Sequence, residues 1–309
     1  MSKSDLRLKH ITEQVGYSDE FYFSRKFKQE VGVSPTIYMK TRRRKIAAYS
    51  SSIAGHMLAL NIIPFAAPIH PKWTAYYHKM YRNDIPFHLS AYRINLDWES
   101  NIEMLSQAKP DMVISQDGLS PLEQEKLERI APVLYVPSKE MNWQEQFRLT
   151  AEFVGAATEA ELWLLKYQQK VKIARERLKK EVKDDSFLVL SMYKQSLFIY
   201  NNRGIEEVCY QNLGMRASFQ IDPLVTEQEI GVDQIAILNP DRILMNVCLE
   251  SESLNSWKQL QTTSVWRDLK AVRSNRVYRI ASDPWRDYSA SAFDRMVDQV
   301  VTLLTGDRP

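Results

Sequence analysis

The chain has 309 residues, of which 44% are apolar, and a formal net charge of +3. This length excludes a single small domain and supports at least two compact units, each with its own hydrophobic core. No stretch of about 18 consecutive apolar residues occurs, so a membrane-spanning helix is not expected. The first residues, MSKSDLRLKHITEQ, lack the apolar core of a secretory signal peptide, and we expect a cytoplasmic protein.

Charge is distributed unevenly along the chain. Residues 1–45 hold 11 Lys and Arg against 5 Asp and Glu, whereas residues 46–309 hold 30 against 33. A basic segment ahead of a mildly acidic body is typical of a protein that binds a polyanion, although a solvated charged face explains the same numbers. Cys209 and Cys248 form no CxxC pair, and we interpret both as core residues.

The basic segment begins with an amphipathic pattern. Leu8, Ile11 and Val15 recur at helical spacing and predict the buried stripe of a first helix. Gly16 ends this pattern, because glycine is the residue that most often follows the last turn of a helix. A turn is therefore predicted at this glycine.

A second helix is predicted after an N-cap formed by Ser18 and Asp19. Phe23 and Phe27 then face inward, which completes a helix-turn-helix and leaves the other side of the second helix free to enter a DNA groove. An arginine on that side is suited to a bidentate contact with guanine, and a lysine to a phosphate contact. The residues that we predict to contact DNA are Glu20, Phe21, Ser24, Arg25 and Lys28.

The same region closely resembles the second helix-turn-helix of the AraC family of transcription regulators. The resemblance covers residues 11–40 and is carried by VGY at 15–17, YFSRKFK at 22–28, GVSP at 32–35 and Tyr38. It implies that Glu20, Phe21, Ser24 and Arg25 occupy base-reading positions. The basic residues that follow, with a solvated linker as the alternative interpretation, are expected to contact phosphates; they are Arg42, Arg43 and Arg44.

The family pattern differs from this chain in one large respect. An AraC module has two helix-turn-helix units, and only the second is recognisable here, beginning almost at Met1. A single unit covers few phosphates and bases, so weak DNA binding is expected. The sequence is interpreted either as a fragment or as a truncated gene product.

Beyond Lys45, short apolar runs alternate with amphipathic stretches, which is typical of an α/β fold. A strand is predicted at 45–50 and a helix at 53–61. Further buried strands, each bounded by Pro, Asp or Asn, are predicted at Met112–Ser115, Val133–Val136, Phe187–Met192, Arg242–Val247 and Arg276–Ile280.

One long helix is predicted from Thr158 to Lys183. This stretch contains neither Pro nor Gly, and it places four apolar residues near helical spacing: Leu162, Leu165, Val171 and Leu178. Its position midway through the α/β part predicts a rigid connection between two lobes. Coiled-coil pairing is the alternative, although the heptads are irregular.

Three phrases resemble the class III periplasmic binding proteins, which serve ferric siderophores, haem and cobalamin. The phrases are NIEMLSQAKPDMVIS (101–115), IAILNPDRILM (235–245) and VWRDLKAVRSNRVYRI (265–280). The resemblance implies an α/β fold of two Rossmann-like lobes joined by a long helix, with a ligand cleft between the lobes, preceded by the all-α helix-turn-helix segment. The expected bounds are 1–45 for the DNA-binding segment, 46–155 for the N-lobe, 156–184 for the linking helix and 185–309 for the C-lobe.

Loops after the predicted strands are the expected ligand site, because ligands of open α/β sheets bind beyond the carboxyl ends of the strands. These loops are rich in basic and aromatic residues. The candidates in the first lobe are Lys72, Trp73, Tyr76, Tyr92 and Arg93. Those in the second lobe are Tyr193, Lys194, Tyr200, Arg203, Trp285 and Arg286. The four preferred contacts are Lys72, Arg93, Lys194 and Arg203.

Such a lining suits an anionic iron complex. A ferric tris-catecholate carries a charge of about −3, and both ionic and cation–π attraction act on it in a desolvated cleft. We therefore predict that the ligand is an iron-siderophore complex of the catecholate type. Interleaved Tyr, Trp and Arg are also ordinary on wet surfaces.

Metal binding through histidine is the alternative for the first lobe. His70, His78 and His88 are imidazole donors near one predicted edge of that lobe, but their spacings fit no i, i+4 pair on a helix. We interpret them as exposed or structural, and we predict neither a metal site nor a cofactor. No GxSxG, GxxxxGK[ST], HExxH or Gly-rich dinucleotide motif occurs, so no enzyme is expected.

Two functions follow from these features. The first is a cytoplasmic, ligand-sensing regulator that resembles the AraC-type activators of siderophore uptake, with DNA and a ferric siderophore as partners. The second is the substrate-binding component of an importer for ferric siderophore, haem or cobalamin. The helix-turn-helix favours the first.

Overall fold

The structure, a computed structural model, describes residues 3–31, 34–36, 44–91, 98–219 and 227–306. The chain forms two compact units. The first unit comprises Met1–Lys166 and Ser289–Ser291, and the second comprises Tyr167–Tyr288 and Ala292–Pro309. Within the described ranges, no helix is both long enough and apolar enough to cross a membrane.

The first unit begins with two helices, α1 (Lys3–Gln14) and α2 (Glu20–Val31), as the sequence predicts. Leu8 and Phe23 are buried where the two helices pack. Gly16 has a φ of 84°, which only glycine adopts easily, and it makes the tight turn between them. Asp19 caps α2, because its Oδ1 accepts hydrogen bonds from Phe21 N at 2.8 Å and Tyr22 N at 3.0 Å.

Val15 was predicted to lie on the buried stripe of the first helix, and this prediction is wrong. The side chain of Val15 is 53% exposed. The reason is that α1 ends at Gln14, so Val15 belongs to the turn and no longer follows the helical period. Ile11, one turn earlier, is half-buried.

The first unit also contains a five-stranded parallel sheet in the order β3-β2-β1-β4-β5. Its strands are β1 (Ile46–Ala48), β2 (Ala66–Pro68), β3 (Phe87–Leu89), β4 (Met112–Gln116) and β5 (Val133–Val136). The helices are α3 (Ser51–Ala59), α4 (Ala75–Tyr81), α5 (Trp98–Ala108), α6 (Pro121–Glu128) and α7 (Trp143–Val154). This order, with helices between parallel strands, is Rossmann-like.

The helix α8 (Ala157–Val182) confirms the long helix that the sequence predicts. The division between the two units falls within it, after Lys166. In the second unit, Lys170 on α8 is paired with Asp294 at 2.8 Å and with Asp298 at 2.7 Å. These two contacts hold α8 against the last helix of that unit.

The second unit is built on a mixed sheet in the order β11-β10-β6-β7-β9, with β8 pairing to β6. Its strands are β6 (Ser186–Tyr193), β7 (Ser196–Tyr200), β8 (Arg216–Ala217), β9 (Glu227–Glu229), β10 (Arg242–Val247) and β11 (Val277–Ile280). The helices are α9 (Arg203–Ile205), continued as a π-helix over Glu206–Asn212, then α10 (Val232–Leu238), α11 (Ser251–Leu260), α12 (Ser264–Asp268), α13 (Lys270–Arg273) and α14 (Ala290–Thr305).

The repeated Pro-Asp phrase has the same structural role in both sheets. In the first unit, Asp111 precedes β4, and its carboxylate accepts a hydrogen bond from Lys45 N, just before β1, at 2.7 Å. In the second unit, Asp241 precedes β10 and accepts hydrogen bonds from the backbone N and the hydroxyl of Ser186 at 2.8 and 2.9 Å. Each aspartate therefore fixes where two neighbouring central strands begin side by side.

Candidate functional site

The DNA-contacting face predicted on α2 is largely open to solvent. The ring of Phe21 is 86% exposed, and Arg25 and Lys28 are also exposed. Glu20 and Ser24 are half-buried. Phe23 and Phe27 lie on the opposite side, with their ring centroids 5.6 Å apart. The helix therefore has an apolar packing face and a solvent-exposed face that carries Arg25 and Lys28.

The basic residues after this segment are only partly covered by the structure. Arg44 is exposed and lies two residues before β1, and its carbonyl oxygen accepts a hydrogen bond from Ile46 N at 3.1 Å. Arg42 and Arg43 lie outside the described residues. Their contact with phosphates stays a prediction.

In the first unit, the candidate ligand residues lie in the loop after β2 and in the first turn of α4. His70 organises this loop. Its Nδ1 accepts hydrogen bonds from Lys72 N at 3.1 Å and Trp73 N at 3.2 Å, and its ring stacks on that of Trp73 at 4.7 Å. Lys72, Trp73 and Tyr76 are all half-buried, so each presents part of its side chain at the carboxyl end of β2.

The electrostatics of His70 fit this structural role. Burial and then the nearby Lys72 ammonium lower the pKa of His70 below its usual value. The neutral ring keeps Nδ1 available as an acceptor for the two loop amides, and the proton then resides on Nε2. In the described ranges, no group of three His, Cys, Asp or Glu side chains is placed to hold a metal ion.

In the second unit, the predicted ligand loop at 191–204 is in fact a β-hairpin. Met192 pairs with Leu197 and Tyr193 pairs with Ser196, so only Lys194 and Gln195 form the turn. Strand β7 then lies between Lys194 and Arg203, and a β-strand advances by about 3.3 Å per residue. Lys194 and Gln195 include no Gly, Pro, Asn or Asp that would signal a turn. Lys194 and Arg203, which were predicted to share one loop, therefore lie beyond opposite ends of β7.

A second group of candidates comes together around the loop after β11. Two of them need correction as ligand contacts, because Trp285 is fully buried and Tyr200 is 3% exposed. Trp285 Nε1 donates a hydrogen bond to Gln299 Oε1 at 2.9 Å, and Tyr200 O–H donates one to the Trp285 carbonyl at 3.2 Å. Both rings therefore support this loop from the core and present no free face.

The cations of this group remain accessible. Arg286 is exposed, with its guanidinium 6.0 Å from the centroid of Tyr200. Arg203 is half-buried and lies 4.6 Å from the centroid of the Tyr288 ring. Tyr92 and Arg93 of the first unit lie outside the described residues.

Sequence reasoning missed the carboxylate beside Arg203. Glu207 Oε1 accepts a short hydrogen bond from Tyr288 O–H and lies 4.0 Å from Arg203 Nη2. Burial raises the pKa of Glu207, although the hydrogen bond from Tyr288 and the charge of Arg203 act in the opposite direction. The i, i+4 spacing of Arg203 and Glu207 was a readable signal for this pair.

The second unit also contains a groove of about 880 Å³ along α11. Its floor includes Met192 and Leu197, and its walls carry the carboxylates of Glu229 and Glu252. Among the described residues that line it, none is Lys, Arg or His. The lining of this groove is therefore acidic, in contrast to the basic loops that carry Lys72, Arg203 and Arg286.

Comparison with known proteins agrees with this architecture. Residues 46–284 match the periplasmic binding protein family, and residues 1–40 match the bacterial regulatory helix-turn-helix proteins of the AraC family. Because the first match covers most of the chain, the chain belongs to the periplasmic binding protein family. The AraC-type match covers the two helices α1 and α2.

One curated relative contains both parts. The chain is 47% identical over 309 residues to the HTH-type transcriptional activator Btr of Bacillus subtilis (strain 168), which covers 100% of this chain and 58% of that protein. It is 23% identical over 189 residues to the iron-uptake system-binding protein of the same organism, which covers 60% of each chain. The chain thus spans about three fifths of the length of these relatives.

Solved structures show the same fold. The triscatecholate siderophore binding protein FeuA from Bacillus subtilis, complexed with ferri-bacillibactin, superposes with a TM-score of 0.68 at 22% identity, covering 85% of this chain and 93% of that one. FhuD2 from Staphylococcus aureus with bound ferrioxamine B gives 0.69 at 16% identity, covering 85% and 98%. These similarities confirm the predicted fold class.

Proposed function

We propose that this chain is a ligand-sensing transcriptional regulator of iron-siderophore uptake that acts in the cytoplasm. The observation that carries the proposal is the presence, in one chain, of an AraC-type helix-turn-helix and the fold of siderophore-binding proteins. The 47% identity to the activator Btr supports it across both parts. The chain spans 58% of the length of that relative. We therefore extend DNA binding and transcriptional activation from the relative to this chain as part of the proposal.

The ligand of this regulator is a ferric siderophore of the catecholate type. FeuA carries ferri-bacillibactin and FhuD2 carries ferrioxamine B on the same fold, so the fold alone does not select the ligand. The selection rests on charge. In the second unit Arg203 lies near the ring of Tyr288 and Arg286 near that of Tyr200, and in the first unit the half-buried Lys72 precedes Trp73. Such pairs of cations and aromatic rings suit an anion of about −3 charge. The proposed contacts are Lys72, Trp73, Tyr76, Arg93, Tyr193, Lys194, Arg203 and Arg286.

DNA is the second partner. The exposed face of α2 supplies Arg25 for a base edge and Lys28 for a phosphate, with Arg42, Arg43 and Arg44 as further phosphate contacts. The siderophore changes DNA affinity only as far as it binds one conformation of the chain better than another. An importer component, the alternative function, needs no affinity for DNA.

A titration with three iron ligands tests the ligand class. Ferric tris-catecholate, ferric trihydroxamate and haem are added to the purified chain while the fluorescence of its 7 tryptophans is followed. We expect saturation by the catecholate at the lowest concentration. Tightest binding of the hydroxamate contradicts the catecholate assignment, and no response to any of the three contradicts siderophore sensing.

Matched variants test the residues in the same titration. Lys72→Gln, Arg203→Gln and Arg286→Gln each remove one cation from the proposed contact set, and each is expected to weaken catecholate binding about tenfold, or about 1.4 kcal/mol. Lys79→Gln removes an exposed cation from α4 outside that set. Equal losses for Lys79→Gln and the other variants would mean that net charge, rather than these positions, governs affinity.

A further inference from the structure

Six residues other than glycine have a positive φ in the described part of the chain. Five of them lie within two residues of the end of a helix, where a left-handed residue is a common terminator; they are Asn61, Lys109, Lys183, Asn239 and Asn275. Lys194 is different, because no helix ends near it. Its φ is 53°, and it lies in the turn between β6 and β7.

The backbone conformation of this turn favours glycine rather than lysine at position 194. Tyr193 pairs with Ser196, so Lys194 is the first of only two turn residues. Gln195, the second turn residue, has no positive φ, so this is not the type of hairpin turn that accepts Asn at its first position. Two-residue hairpin turns with a positive φ at the first position alone carry glycine there, because a Cβ atom crowds the backbone. A lysine at this position therefore opposes the local preference of the chain, and such strain is found most often at functional sites.

The strained turn is held in place by the first turn of α11. Lys194 N donates a hydrogen bond to Ser253 Oγ at 2.7 Å, and Ser253 is fully buried. Gln195 Nε2 donates a second one to Glu252 Oε1 at 3.2 Å. Because the Ser253 hydroxyl is fixed in the interior, it determines where the backbone of Lys194 lies.

The side chain that results is an available cation. Lys194 is exposed, and it forms no ion pair with any residue in the described ranges. Its Nζ lies 5.5 Å from the centroid of the Tyr193 ring, which is itself 47% exposed. A positive charge beside an open aromatic face is the chemistry that binds an anionic aromatic ligand.

We propose that Lys194 is a cation positioned in advance to contact the ligand, and that Ser253 is the positioning residue that holds the Lys194 backbone in a strained turn. The strain lowers the stability of the folded chain, and the fixed position of the cation raises the affinity for the ligand. This inference rests on the proposed siderophore function. The ligand that this cation would contact is a polyanion that carries catecholate groups, and the cation is in position before the ligand binds. Pre-organisation of this kind lowers the entropic cost of binding.

Three variants in the full chain test it. Lys194→Gly removes the cation and relieves the turn, so it should raise the midpoint of urea unfolding and weaken ferric tris-catecholate binding about tenfold. Lys194→Arg keeps the charge and should bind within about threefold of the unaltered chain. Ser253→Ala keeps the charge but frees its backbone, and it should weaken binding about fivefold while Lys194 remains intact.

Lys183→Gly is the matched control, since it makes the same substitution at another exposed lysine with positive φ, at the end of α8. It should raise the unfolding midpoint in the same way and leave affinity unchanged. The inference is overturned if the unaltered chain binds the catecholate and Lys194→Gly binds it equally well, or if Lys183→Gly loses as much affinity as Lys194→Gly. Absence of binding by the unaltered chain overturns the proposed function as well, whereas the change in unfolding midpoint still reports whether the turn is strained.

Discussion

Replacing Gly55 with alanine is expected to destabilise the first unit by about 3 kcal/mol, at the upper end of the usual cost of overpacking. Gly55 lies on α3, where a Cβ atom would meet the hydroxyls of Ser289 and Tyr77 and would lie 2.6 Å from Ser289 Cβ. These groups cannot move aside easily, because Ser289 and Tyr77 are both fully buried and their hydroxyl oxygens are hydrogen-bonded at 3.1 Å. The gain in helix propensity from alanine, about 1 kcal/mol, is smaller.

Urea unfolding followed by tryptophan fluorescence measures this loss. Gly231→Ala is the matched control, since the nearest atom to its added Cβ is 3.8 Å away, an ordinary contact. The variant Gly55→Ala combined with Ser289→Gly and Tyr77→Phe removes the obstructing atoms and should recover part of the stability. If Gly55→Ala unfolds at the same urea concentration as the unaltered chain, Ser289 does not pack as closely against α3 as described above.

Acidification should destabilise the first unit through His56. The ring is completely buried, its Nδ1 accepts a hydrogen bond from Ala290 N at 3.3 Å, and its Nε2 has no partner among the described residues. Burial lowers the pKa of His56 from 6.5 to about 3. The folded chain therefore keeps this ring neutral, while the unfolded chain protonates it below its ordinary pKa.

The sign of the effect follows from proton binding. Below pH 6.5 the unfolded state binds one more proton at His56 than the folded state does, so stability is complete above that pH and decreases as the pH falls towards 3. The slope is at most about 1.4 kcal/mol per pH unit.

His56→Asn is the test, because an amide retains an acceptor near Ala290 and does not titrate. Between pH 7.5 and pH 5, the unaltered chain should lose about 1 to 2 kcal/mol more than His56→Asn does. Carboxylates with lowered pKa values, such as Asp117 and Glu161, affect both chains equally and cancel in the difference. Parallel pH profiles of the two chains would show that His56 is accessible to protons in the fold.

The sequence predicted the parts of the fold that depend on local pattern. Asp111 and Asp241 each precede a buried strand, and both strands were found, as were α8 and the turn at Gly16. Strands β2 and β3 were not predicted. They are three residues long, and the sequences AAP and FHL lack the β-branched runs by which a strand is recognised.

The candidate site was predicted less well, because its geometry depends on distant contacts. Ser253 reaches Lys194 across 59 residues of sequence, and no local pattern reveals that hydrogen bond. Trp285 was predicted to contact the ligand because it is an aromatic residue in a loop beside an arginine, but its side chain is held in the core by a hydrogen bond to Gln299. Residue type identified the chemistry of the loops, and only packing decides which side chains remain accessible.

The most direct test of a ligand-sensing regulator is the coupling between its two partners. Duplex DNA is first selected from a random pool by the purified chain, and the Kd for ferric tris-catecholate is then measured with and without that DNA. We predict that saturating DNA changes the siderophore Kd at least fivefold, that the siderophore changes the DNA Kd by the same factor, and that Arg25→Ala abolishes both effects. Two Kd values that are each unaffected by the other partner would contradict the account, because the two sites would then bind independently.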